Sequence, residues 1–146
     1  MATSAMVVEN TTITGNSAGV SGGGLATKSC GCSSITTEIS NTIIGGNVAP
    51  DGPDVSVGES VETLNGNQLQ FGELIADYSI VGVVDPDGTQ VTGTGLVLGD
   101  PLLGPLANNG GPTLTHLPLA GSPAIDAGDP AFVAPPADDQ RHGRAR

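Results

Sequence analysis

Short β-branched runs, each closed by glycine and asparagine, set the pattern of this chain. Asn10-Thr11-Thr12-Ile13-Thr14-Gly15-Asn16 returns 31 positions later as Asn41-Thr42-Ile43-Ile44-Gly45-Gly46-Asn47, with five of the seven positions identical. A weaker echo follows at Ser79-Ile80-Val81-Gly82. One strand-and-turn unit cannot bury its apolar face alone, so a repeat of this kind predicts a stacked coil of parallel strands. Strands are expected at 7–8, 11–14, 35–39, 42–44, 54–57, 61–64, 79–84, 90–92 and 96–98. Between them lie turn formers: Gly22-Gly23-Gly24, Ala49-Pro50-Asp51-Gly52-Pro53, Asn65-Gly66-Asn67 and Asp85-Pro86-Asp87-Gly88. No apolar stripe of helical period runs far before Gly, Pro or Asn interrupts it.

Interior positions are expected at Ile13, Leu25, Ile44, Val57, Leu64, Ile80 and Val97. Asn16 and Asn47 are expected at coil corners. There asparagine tolerates left-handed backbone angles, and its amide can bond to backbone or to the asparagine of the next coil. A hairpin sandwich would also produce many short strands, but it needs no sequence repeat.

Composition narrows the interior. The chain has 146 residues, 23 Gly, 11 Pro and no Trp, and its aromatic side chains are Phe71, Tyr78 and Phe132. A core without large rings must be filled in layers by Val, Ile, Leu and Ala. Disorder is the competing reading for an acidic Gly/Pro-rich chain. The clustering of the β-branched residues into runs argues against it.

Charge is one-sided: 15 acidic residues against 4 basic, with Arg141, Arg144 and Arg146 at the far end and Lys28 the remaining cation. Such a surface repels nucleic acid and anionic lipid, and keeps a β-protein soluble. No run approaches the roughly 20 apolar residues of a membrane helix. Residues 1–5 lack a basic start and a long apolar stretch, so no signal peptide is expected there. Because the chain starts almost inside a repeat, it is expected to be a fragment of a longer exported protein.

From Gly99 the character changes. Asp100-Pro101-Leu102-Leu103-Gly104-Pro105-Leu106 leads to Asn108-Asn109-Gly110-Gly111-Pro112-Thr113-Leu114-Thr115-His116, then to Gly121-Ser122-Pro123-Ala124-Ile125-Asp126-Ala127-Gly128-Asp129. Proline cannot donate to a ladder, so the stretch is expected to cover the last coil. Residues 134–146 read as a mobile tail.

The run from Asp100 to Asp129 closely resembles the C-terminal module of bacterial right-handed parallel β-helix surface proteins of the adhesin and autotransporter-passenger type. The upstream Asn-Thr-Thr-Ile-Thr-Gly-Asn-Ser-Ala run and Gly22-Gly23-Gly24-Leu25 look like their coil repeats, so the resemblance spans about residues 7–141. It departs after Asp139-Gln140-Arg141, where His142 precedes Gly143. The resemblance implies an all-β fold: a right-handed parallel β-helix of about four coils over 1–98, a cap over 99–133 and an irregular tail over 134–146. It also implies export to the cell surface or beyond, and it does not imply an enzymatic activity.

Catalytic dress is sparse. Polysaccharide-cleaving β-helices place carboxylates, often with Lys or Arg, on one outer face, and no Lys or Arg occurs between Lys28 and Arg141. Asp51 with Asp54, and Asp85 with Asp87, sit in Pro/Gly turns where Asp is expected as a turn former. Asp85-Pro86-Asp87-Gly88 resembles the start of a calcium loop, but Leu96 stands where the closing Glu would fall. Asp85 and Asp87 therefore leave room only for weak calcium binding, and no cofactor is expected. Cys30 and Cys32, one residue apart, fit neither a zinc set nor a redox pair. His116 and His142 have no nucleophile partner in sequence. Thr11-Thr12-Ile13-Thr14 and Thr36-Thr37 could suggest a water-ordering threonine array, but the third echo has lost it.

The expected function is a non-enzymatic structural or interaction module acting in adhesion or self-assembly. Its first coil exposes unpaired backbone groups, so self-association through the N-terminal end is expected. A surface glycan or protein receptor is the other partner class, with carbohydrate binding or an extracellular filament subunit as the alternative reading.

Overall fold

The structure, a computed structural model, describes residues 6–28, 36–58, 72–85 and 91–133. Among them there is no helix. Strands β1 (Met6–Glu9), β4 (Thr36–Ser40), β7 (Glu73–Asp77) and β9 (Val91–Thr92) form a first parallel sheet in that order. A second parallel sheet runs β2 (Thr12–Ile13), β5 (Ile43–Ile44), β8 (Ile80–Val81) and β10 (Val97–Leu98). A third pairs β3 (Leu25–Lys28) with β6 (Val55–Gly58), and Val84 bridges onto Val55. The first two passes lay a strand on each sheet in turn, the third adds only the Val84 bridge to the third sheet, and the fourth pairs on the first two sheets alone. Successive passes are offset by 31, 37 and 17 residues. The chain leaves the third sheet after Lys28, Gly58 and Asp85, and re-enters the first at Thr36, Glu73 and Val91.

All three sheets share one apolar core: Ile39, Leu74, Ala76 and Val91 from the first, Ile44 and Val81 from the second, Val55 and Val57 from the third. The period of two sorts the side chains. In β4, Thr37 and Ile39 are buried while Glu38 between them is exposed. Val8, Ile13 and Leu25 pack against the core from the first pass.

In the second sheet Ile80 is buried as expected, and Val97 is not. Ile13, Ile44 and Val81 are register partners and pack in the core, whereas Ile43, Ile80 and Val97 form the alternate row. Ile80 is only 3% exposed but is covered from outside, and Val97 is half-buried on the same outer row. In a strand of two residues, a frame error of one exchanges the faces. Leu64 lies outside the described residues, as do the expected strand at 61–64, Phe71 and the tail over 134–146.

Within the stacked passes, β3 and β7 had no clear signal; Asp77 interrupts the apolar run that contains β7. The C-terminal part forms an antiparallel hairpin of β11 (Leu103–Ala107) and β12 (Thr115–Pro118), with its irregularity between Leu103 and Leu106, beside Pro105. Beyond it, the chain returns along the outer side of the second sheet. Pro101 lies against Gly45, where a Cβ would come within 2.5 Å of the ring. Ser122 Oγ donates to Pro101 O, and Asp129 N donates to Asn41 Oδ1 at 2.7 Å. Residues 99–133 are therefore tethered to the side of the second pass, and among the described residues no strand adds to β9 or β10.

Candidate functional site

The N-terminal edge is built from one pass. β1, β2 and β3 are the end strands of their sheets, and all three belong to residues 6–28. The direction of the ladder fixes which groups point outward there. Ile43 N and Gly45 N donate back to Thr11 O and Ile13 O; one pass later Ile80 N and Gly82 N donate to Thr42 O and Ile44 O; then Val97 N and Gly99 N donate to Ser79 O and Val81 O. Thr12 and Thr14 occupy the equivalent places in the first pass, so their N–H groups face the open side with no acceptor among the described residues. Met6 and Val7 are exposed on this edge.

Two polar stacks tie the passes together behind the edge. In the first, each hydroxyl donates to the carbonyl two residues earlier: Thr11 to Glu9 O, Thr42 to Ser40 O and Ser79 to Asp77 O. The second and third hydroxyl oxygens also accept from the preceding pass, Thr42 Oγ1 from Thr11 N and Ser79 Oγ from Thr42 N. Thr42 and Ser79 are 1% exposed, so these threonine-type positions are ladder parts and not a surface array.

The second stack holds Asn16 and Asn47. Asn47 Oδ1 accepts from Asn16 N at 3.0 Å and from Asn16 Nδ2 at 3.1 Å, while Asn47 Nδ2 donates to Ile13 O. Neither asparagine has a left-handed backbone. That conformation falls on Gly15 (φ 72) and Gly46 (φ 73) just before them, and on Asn10 (φ 52) and Asn41 (φ 49) at the preceding corner. Glycine absorbs the turn at no steric cost and leaves the asparagine amide free to bond.

Asp54 is more than a turn former. It is 3% exposed; Oδ1 accepts from Asn47 N at 2.8 Å and Asn47 Nδ2 at 3.0 Å, and Oδ2 accepts from Val83 N at 2.7 Å. Gly82 makes room for it, since a Cβ there would stand 2.1 Å from Asp54 Oδ2.

Of the calcium candidates, Asp85 is half-buried and its Oδ2 accepts from Val57 N at 2.9 Å; Asp87 lies outside the described residues. No three His, Cys, Asp or Glu side chains come together among the described residues. His116 Nδ1 donates to Gly104 O at 2.7 Å, because a carbonyl only accepts. Cys30, Cys32 and His142 fall outside the described residues. On the outer face of the first sheet, Val7, Glu9, Glu38, Ile75 and Asp77 border a shallow groove of about 300 Å³. Among the described residues no helix is long and apolar enough to cross a membrane.

Comparison with protein families, curated proteins and solved structures returned no match.

Proposed function

We propose that the stacked passes form a right-handed parallel β-helix, and that the chain is a non-enzymatic interaction module of an extracellular or cell-surface protein that associates through its N-terminal edge. The observation that carries this is the alignment of three end strands on one pass, with Thr12 N and Thr14 N in the places where later passes donate to their neighbours. A row of unpaired N–H and C=O groups beside exposed Met6 and Val7 is a template for another strand. The occupant proposed is a second copy of this chain. The resemblance of residues 100–129 to surface β-helix modules supports the same reading, as does the acidic balance, which disfavours nucleic acid and anionic lipid as partners.

β9 and β10 end their sheets on the opposite side, so pairing of one copy's first pass with another's last is heterologous and does not close. Self-assembly into short fibres then follows from the same edge, with adhesion as its use at a surface.

Light scattering on a sizing column tests the proposal. The mass should grow with concentration above 14.3 kDa, and Thr12→Pro, which deletes an outward donor on an edge strand, should return it toward one chain. A constant mass of one chain at the highest concentration reached would overturn it.

A further inference from the structure

The returning segment does not lie flat on the second sheet. Between them is a cleft of about 510 Å³, open to solvent, within the range of small-ligand sites. One wall is a corner at which the passes stack: Asn10, Asn41 and Tyr78, one from each pass, all with left-handed φ (52, 49 and 47). The opposite wall is Ala124, Asp126 and Ala127. Ile43 and Ile80 form an apolar floor.

The lining discriminates between ligand classes. It contains no Lys, Arg or His, and its one charged side chain is Asp126, so an anionic ligand would meet only repulsion. The free hydrogen-bonding groups are neutral amides and hydroxyls. Asn10 and Thr12 are exposed, and their side chains have no partner among the described residues. Asn41 spends Oδ1 on Asp129 N and keeps its amide donors. Adjacent passes of a parallel sheet are about 4.8 Å apart, so the two amides can address neighbouring hydroxyls of one ring. Tyr78 adds an aromatic surface, its ring lying against Gly95, where a Cβ would be 2.8 Å from the ring.

Neutral donors and acceptors, one carboxylate, one aromatic ring and an apolar floor are the complement of an uncharged, hydroxyl-rich molecule. We propose that this cleft is a saccharide-binding site that takes one or two units of a neutral glycan. The site lies within a single chain; Asn10, Thr11 and Thr12 of the edge pass line it, so its binding is read on the unassociated chain.

Tyr78 is the chain's one tyrosine and there is no tryptophan, so tyrosine emission reports the cleft alone. The full chain would be titrated with maltotriose, cellotriose, mannotriose and tri-N-acetylchitotriose, with trigalacturonate as the acidic comparison. Expected is a saturable emission change with at least one neutral sugar and none with trigalacturonate. Asn10→Gly keeps the left-handed backbone and deletes the amide; Asp126→Asn keeps the shape and deletes the charge. Each should weaken binding at least tenfold at an unchanged thermal midpoint. No saturable change with any neutral sugar, equal binding of trigalacturonate, or unchanged affinity in both variants would overturn the assignment. Measuring at a dilution where light scattering gives one mass keeps this outcome separate from that of the edge proposal.

Discussion

Asp54 does for Asn47 what Asn47 does for Asn16: its side-chain oxygen accepts the backbone N–H and the side-chain amide of the asparagine before it. The third pass has Val83 and Val84 where the earlier passes have Gly46 and Asn47, so the asparagine stack has no third member of its own kind. A carboxylate seven residues on from Asn47 fills the place and also caps Val83 N. The stack is thereby completed by a residue from the same pass that folds back.

Asn47→Ala should destabilise the chain by about 2 kcal/mol, because Asn47 is buried and loss of its amide leaves Ile13 O and Asn16 N without their partner and Asp54 Oδ1 with one donor fewer. Asn16→Ala, at an exposed end of the same stack, should cost less than about 1 kcal/mol. Urea unfolding of both variants measures the difference.

Gly82→Ala should be severe, since its Cβ would overlap Asp54 Oδ2. In an Asp54→Ala background the same substitution should cost far less. A double-mutant cycle should return a coupling of about 1 kcal/mol or more, as expected of groups in direct contact. Additive effects would mean that Asp54 does not occupy this position.

Ile44→Ala should cost about 2–5 kcal/mol, because Ile44 is wholly buried among side chains from three sheets. Val81→Ser should act on the same core and lower the thermal midpoint. Ile80→Ser faces the other way; it should loosen the returning segment, seen as faster hydrogen exchange at Asp129 N, with the core ladders still protected. Equal loss of protection in both variants would contradict the outward placement of Ile80.

Thr42→Val keeps the volume and removes the hydroxyl that bonds Ser40 O and accepts Thr11 N. A loss of about 1–3 kcal/mol is expected by thermal or urea unfolding. Thr12→Val, whose side chain is exposed, should change stability by less than about 0.5 kcal/mol. That contrast separates a ladder threonine from a surface one.

Much of the sheet plan was legible in residues 7–57, since the repeat that placed Ile13 beside Ile44 also placed Thr11 beneath Thr42 and Asn16 beneath Asn47. β7 was obscured because Glu73 and Asp77 flank a strand whose inward residues are Leu74 and Ala76, a period too short to stand out. The cleft was not legible, because one wall comes from corners at Asn10, Asn41 and Tyr78 and the other from the C-terminal segment at 124–128.

The sequence by itself determined the all-β character and the parallel stacking, because β-branched runs punctuated by Gly and Asn have few other ways to bury their apolar faces. Only the tertiary structure decided that Asp54 is a buried tie, that Val81 joins the central apolar cluster while Ile80 is buried on the outer row, and that the C-terminal segment lies along the side of the passes. Each of those depends on contacts between residues whose spacing carries no local signal: a carboxylate finds its donors by folding across a corner, and a two-residue strand takes its frame from the neighbours it pairs with.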